Sequence, residues 1–172
     1  MDRIKLSKTL SHALRHAPWQ YELELDEEGW TDIEDVLDVI RAARPEWSNV
    51  SVEDLIELNE HTQKQRFEIE GGCIRALYGH SVPGKLKKTR AIPPKVLFHG
   101  TSPKFVGKIR SCGLKPMGRQ YVHLSVDEQT AREVGKRKGS KPIILRIQAA
   151  VADESGIPFY IGNEKVWLAD SV

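Results

Sequence analysis

From His80 to Pro94 the chain reads HSVPGKLKKTRAIPP, where proline, glycine and a basic cluster interrupt any helical or strand period. No regular element is expected to cross this stretch, so the residues on either side of it must form their own cores. It turns a chain of 172 residues, close to the size of one ordinary domain, into two small lobes. Their bounds are read as 1–80 and 95–172, with 81–94 as the linker. No internal repeat is visible.

The two halves differ in charge. Residues 1–80 carry 9 Lys or Arg against 17 Asp or Glu, a net of −8, while residues 81–172 carry 17 against 7, a net of +10. A basic half of this strength suits a polyanion or a phosphate-rich cofactor, although simple attraction between the halves accounts for it too. The acidic run from Glu22 to Asp38 reads as solvated surface. With 40% hydrophobic and 29% charged residues, the composition excludes global disorder. No apolar run approaches the ~20 residues of a spanning helix, and MDRIKLSKTL lacks the apolar core of a signal peptide. A soluble, cytoplasmic protein without membrane contact is therefore expected. Cys73 and Cys112 are too few and too far apart for a disulfide scaffold or a cysteine zinc site, and no metal site is expected.

In the first lobe Leu6, Leu10, Ala13 and Leu14 recur at helical spacing, and that helix should stop before Pro18, with Arg15 pointing away from the apolar stripe. Thr31 followed by Glu34 reads as a capping box for a helix carrying Ile33, Val36, Leu37 and Ile40. Ser51 with Asp54 opens a third helix. RFEIEGGCIRAL then alternates Phe67 and Ile69 inward, turns at Gly71-Gly72 and resumes at Ile74, the pattern of a β-hairpin. Helices succeeded by a hairpin suggest a winged helix, usually a nucleic-acid binder, so the overall class is α+β.

The second lobe is richer in strands. Val96–Phe98 should be a short strand leading into His99-Gly100-Thr101, and Ser102-Pro103 a helix start with Ser as N-cap. That helix should stop at Gly113. Val122–Ser125 reads as a strand, Asp127 as the start of a helix, and Ile143–Ala149, Pro158–Ile161 and Val166–Leu168 as further strands, with a turn at Gly162-Asn163. Trp19, Trp30, Trp47 and Trp167 read as core or rim aromatics rather than base-stacking platforms.

Three features offer chemistry: Leu14-Arg15-His16, His99-Gly100-Thr101, and Arg119 ahead of Tyr121-Val122-His123-Leu124-Ser125. Singly, each has an ordinary account as a solvated helix end or a satisfied strand histidine. In this order, however, KLSKTLSHALRH, KQRFEI, RALYGHSV, LFHGTS, GRQYVHLS and VWLADSV resemble the RNA 2′-phosphotransferase family, known in bacteria as KptA. The resemblance runs over about residues 5–170. It implies an N-terminal winged-helix lobe that binds RNA, joined to a C-terminal ADP-ribosyltransferase-like lobe that binds NAD.

The reaction so implied has two steps and belongs to RNA processing of the tRNA-splicing kind. An internal RNA 2′-phosphate attacks the anomeric carbon of the nicotinamide ribose of NAD and expels nicotinamide. The neighbouring ribose O2″ then attacks that phosphorus, releasing 2′-hydroxyl RNA and ADP-ribose 1″,2″-cyclic phosphate. The implied partners are RNA carrying a 2′-phosphate and NAD, consumed as co-substrate, with no obligate protein partner. A phosphate is already an anionic nucleophile, so orientation and charge control matter more than an initial base.

The resemblance maps a catalytic quartet onto Arg15, His16, Arg66 and Arg119. Arginine suits it because its planar fork grips phosphate oxygens and keeps its proton. Arg15, Arg66 and Arg119 are expected to clamp the phosphate, and His16 to move the proton of O2″. His99, Gly100 and Thr101 resemble a first NAD signature, with glycine allowing close backbone approach. His123, Leu124 and Ser125 resemble a second, lining the ribose and nicotinamide pocket. Gly113 and Leu114 would lie near the adenosine end, or serve simply as helix stop and core leucine.

Where protein-modifying relatives place a catalytic Glu, alignment on VWL puts apolar Val166. Glu164 shares its facing only if strand register holds through the turn. Two departures from the family pattern stand out: Leu77 and Tyr78 where Asn and Gln are expected, and Tyr121 where a His is common. Neither is expected to touch the quartet. Competing readings are transfer to terminal phosphates of nucleic acid, and a non-catalytic winged-helix binder.

Overall fold

The computed structural model describes residues 2–62 and 64–172, a mixed α/β chain with two antiparallel sheets and, among the described residues, six α-helices. It divides into two compact units, Met1–Lys87 and Lys88–Val172.

In the first unit the order is α1 (Arg3–Arg15), β1 (Thr31–Asp32), α2 (Ile33–Ala43), α3 (Val52–Glu60), β2 (Phe67–Glu70) and β3 (Cys73–Ala76). The leucines that set the helical period on α1, Leu6, Leu10 and Leu14, are at most 1% exposed and meet Leu37, Ile40, Leu55, Phe67 and Ile74 in one core. Burial of each such leucine contributes about 1.5–3 kcal/mol. The three strands lie in the order β1-β3-β2. Gly71 and Gly72, with φ of 56° and 78°, form the two-residue turn between β2 and β3. A pair of positive φ values matches strand twist and is strained for any residue with a side chain. Glu68 and Arg75 stand directly opposite in that hairpin and are bonded at 2.7 Å.

Ser51 and Asp54 open α3 as expected, and the structure adds that they do so through a reciprocal capping box. The cap of α2 is shifted by one residue. Thr31 is taken up by β1, pairing with Ile74, and Asp32 becomes the N-cap through its bond from the Glu34 amide. The physical reason is competition: a strand pairing withdraws Thr31, and the next short polar side chain serves.

The second unit contains β4 (Leu97–Thr101), α4 (Pro103–Cys112), β5 (Val122–Ser125), α5 (Glu128–Gly135), β6 (Ile143–Ile147), α6 (Ala149–Glu154), β7 (Phe159–Ile161) and β8 (Val166–Ala169). Its sheet has the order β6-β4-β5-β8-β7. Leu97, Leu124, Ala149, Phe159 and Ala169 are buried in its core. The expected strand Ile143–Ala149 ends at Ile147, because Ala149 opens α6 and is itself fully buried. Ser102 occupies the N-cap position of α4, but its side chain makes no capping bond; Pro103 at the first helical position needs no amide partner. Gly113 ends α4 at φ 73°.

The segment 81–94 is partly packed. Val82 and Leu86 are buried, and the Lys87 amide donates to the Glu27 carbonyl. Further on, Arg90 bridges to Tyr160 and the Ala91 amide donates to Phe159.

Candidate functional site

Arg15 and His16 stand at the C-terminal end of α1, where the last carbonyls lack helical partners. Arg15 does not point clear of the apolar stripe, as its position in the period suggests. It is half-buried, with its guanidinium 5.8 Å from the Phe67 ring centroid and 5.0 Å from that of Tyr78. Two aromatic faces thus hold the cation. Tyr78 is one of the departures from the family pattern, and contrary to the sequence expectation it touches the quartet directly.

His16 is exposed, and its Nδ1 lies 2.8 Å from the Ser81 hydroxyl oxygen. Ser81 also donates its amide to the Arg15 carbonyl at 2.8 Å. One turn earlier on α1, the His12 ring is 6.3 Å from that of His16, and its Nδ1 is 2.9 Å from the Tyr21 hydroxyl.

Arg66 immediately precedes β2. Asn59 of α3 brackets it, with Oδ1 accepting from the amides of both Arg66 and Phe67 and Nδ2 donating to the Phe67 carbonyl. The Arg66 side chain reaches α1, where Nη1 donates to Ser7 at 3.3 Å. The first unit therefore brings Arg15, His16 and Arg66 onto one helix and the hairpin packed beside it. Arg119 belongs to the second unit, exposed on the turn before β5, with its amide donating to the Pro116 carbonyl.

In the second unit His99, Gly100 and Thr101 lie within β4 rather than after it. The His99 Nδ1–H donates to the His123 carbonyl of β5 at 2.9 Å, since a carbonyl can only accept. Its Nε2 is thereby the acceptor of the neutral ring. Burial, the largest influence, and the charge of Lys138 push the His99 pKa below its ordinary 6.5, against an opposing contribution from that hydrogen bond.

Gly100 is constrained by α5. A Cβ there would lie 2.1 Å from the Ala131 carbonyl oxygen, and the Gly135 Cα is 3.0 Å from the same point. The close backbone approach that this glycine permits is thus to a helix of its own unit. Thr101 and Ser125 are buried on neighbouring strands, Leu124 is core, and Val166, opposite Ser125, is buried as well.

Leu114 exchanges two backbone bonds with Val172, and the Gly113 amide donates to Ile109. Glu164 is exposed on the bend before β8. Asn163 accepts there from the amides of Lys165 and Val166, so strand alternation does not extend to Glu164.

Sequence reasoning missed a second cluster. Tyr121 packs edge-on against Tyr160 at 5.3 Å, and the Tyr160 hydroxyl donates to Asp170 at 2.9 Å. Burial first, then Asp170, pushes the Tyr160 phenol up to about 12. It becomes visible only because β5 and β7 both lie beside β8.

The first unit thus groups two arginines and a histidine around the end of α1, and the second holds a half-buried histidine whose Nε2 is an acceptor. Among the described residues, no group of His, Cys, Asp and Glu could hold a metal ion, and no helix is long and apolar enough to cross a membrane.

Comparison with known proteins gives the geometry a family. A chain from Acetivibrio thermocellus, named as a probable RNA 2′-phosphotransferase, is 52% identical over 172 residues, covering 100% of this chain and 94% of its own. One of the same name from Bacillus thuringiensis subsp. konkukian is 54% identical, covering 97% and 90%. Another from Pyrococcus horikoshii is 39% identical, covering 99% and 94%. The family model described as RNA 2′-phosphotransferase, Tpt1 / KptA family, matches residues 1–171, and the chain belongs to that family.

Proposed function

We propose that this protein moves the internal 2′-phosphate of an RNA onto NAD, giving 2′-hydroxyl RNA, nicotinamide and ADP-ribose 1″,2″-cyclic phosphate. The family match over residues 1–171 carries the reading, with relatives named as probable RNA 2′-phosphotransferases. The helix, short strand, two helices and hairpin of the first unit fit a winged-helix RNA-binding lobe. The five-stranded sheet of the second, with His99 on β4 and His123 on β5, fits an ADP-ribosyltransferase-like lobe.

NAD supplies, when bound, an anomeric carbon with a leaving group that a phosphate can displace. The second unit suits it through His99, whose neutral Nε2 can accept from a ribose hydroxyl, and through the half-buried setting of that ring. Val166 contributes an apolar wall, consistent with a nucleophile that needs no carboxylate. Gly113 and Leu114 offer little to the adenosine through the backbone groups already bonded within the unit.

On the RNA side, Arg15, Arg66 and Arg119 hold the phosphate by charge-assisted hydrogen bonds and offset the charge that grows on phosphorus. His16 takes the proton of O2″ as that oxygen attacks, and returns it to the departing RNA 2′-oxygen.

The test is incubation of the purified protein with NAD and an oligonucleotide bearing an internal 2′-phosphate. The expected products are dephosphorylated RNA and the cyclic phosphate. Modification of a 5′-phosphorylated oligonucleotide in its place would assign the protein to terminal phosphates, and absence of nicotinamide release from either would overturn the NAD reading.

A further inference from the structure

We propose that Ser81 is a positioning residue for His16, fixing which ring nitrogen faces the reacting atoms. The inference rests on the reading of His16 as proton carrier. Ser81 makes two contacts with the end of α1: its amide donates to the Arg15 carbonyl, and its hydroxyl lies on His16 Nδ1, both at 2.8 Å. The first ties the segment to the helix terminus. The second ties the imidazole to the segment.

Ser81 does not act in isolation. Tyr78, three residues earlier, presents its ring to the Arg15 guanidinium, and Gly79, at φ 87°, lets the backbone turn between them. One short stretch, Tyr78–Ser81, thus touches both residues of the Arg15-His16 pair, although 65 residues separate Ser81 from His16. His16 is exposed at the helix end, and the Ser81 hydroxyl meets one of its two ring nitrogens directly.

The chemistry selects the direction of that bond. With Nδ1–H donating to Ser81 Oγ, Nε2 of the neutral ring carries the lone pair and can accept the O2″ proton. Once protonated, the ring keeps the same Nδ1–H bond while Nε2–H faces the leaving oxygen. The step balances: O2″–H breaks as its proton passes to Nε2, the O2″–P bond forms, the P–O2′ bond to RNA breaks, and the proton passes from Nε2 to O2′. In the opposite polarity, Nε2 would carry hydrogen from the start and could not act as base.

The test uses the full chain, with Ser81→Ala and Ser81→Thr. Nitrogen-15 NMR of the free protein is expected to show His16 with hydrogen on Nδ1, and that preference to be lost in Ser81→Ala. In turnover, Ser81→Ala is expected to lower kcat about tenfold or more, with KM for RNA and NAD and the thermal midpoint unchanged. ADP-ribosylated RNA should accumulate, because only the second step uses His16. Ser81→Thr keeps the hydroxyl and should restore both signals. A wild-type ring with hydrogen on Nε2, an unaltered kcat in Ser81→Ala, or a change in KM alone would overturn the proposal. Should Ser81→Ala fail to fold, the wild-type tautomer and the Thr variant still decide it. Wild-type inactivity on 2′-phosphorylated RNA would instead remove the functional reading, leaving the NMR result to judge the orientation separately.

Discussion

His16 and His99 are held in opposite ways. His16 is exposed at the end of α1 and bonded to a side chain, the Ser81 hydroxyl. His99 is half-buried inside β4 and bonded to a main-chain carbonyl of β5. A side-chain tether can be removed by one substitution; a main-chain tether persists while the sheet does. The difference accords with the proposed roles, a proton carrier in the first unit and a neutral acceptor in the second.

The sharpest way to probe the contrast is to remove a cation from the first unit. Arg15→Ala is expected to lower kcat by about 10²- to 10³-fold, the usual cost of losing one preorganised donor to developing charge. Arg15→Lys should restore little, because an ammonium lacks the planar fork. Steady-state kinetics with the 2′-phosphorylated oligonucleotide would measure both, and full activity in Arg15→Ala would break the assignment.

In the second unit the corresponding vulnerability is steric. Gly100→Ala drives a methyl to within 2.1 Å of the Ala131 carbonyl and should destabilise by about 3 kcal/mol. Chemical denaturation would read it, and a loss below about 1 kcal/mol would mean that α5 yields more easily than a packed backbone should.

Tyr78→Leu should weaken the hold on Arg15 by about 0.5–2 kcal/mol, as expected for one cation–π contact. The predicted signs are a small fall in midpoint and a fall in kcat smaller than that of Arg15→Ala. A kcat equal to wild type would show that Phe67 suffices.

The smallest effect is on pH dependence. His99 has a depressed pKa in the folded chain, so between that value and the ordinary 6.5 the unfolded state binds more protons. Stability of the second unit should be full above 6.5 and decline as pH falls through the folded value. Denaturation midpoints on either side of 6.5 would measure it, with His99→Gln flattening the slope. An unchanged slope would mean that other groups govern the acid side.

Legibility in the sequence depends on the range of the interaction. The hairpin is readable because Gly71-Gly72 sits between two alternating runs, and the start of α3 because Ser51 and Asp54 are three residues apart. The α2 cap is displaced by one residue from its sequence expectation because a strand pairing from Ile74, far along the chain, claims Thr31. Gly100 is legible as a glycine needing space, but the occupant of that space, Ala131, is not. Tyr78 stands out in the sequence as a departure, while its contact with Arg15 emerges only once β3 lies beside α1.

From the sequence alone came most of the elements in their order, though not β1 or α6, together with the division into two lobes and the family to which the candidate residues belong. These rest on periodicity, on turn residues and on motifs whose members are near neighbours along the chain. The tertiary structure alone decided which atoms restrain them: Ser81 on His16, two aromatic rings on Arg15, the His123 carbonyl on His99. A hydrogen bond or ring contact extends only a few ångströms, and residues tens of positions apart come within that distance only when the chain packs.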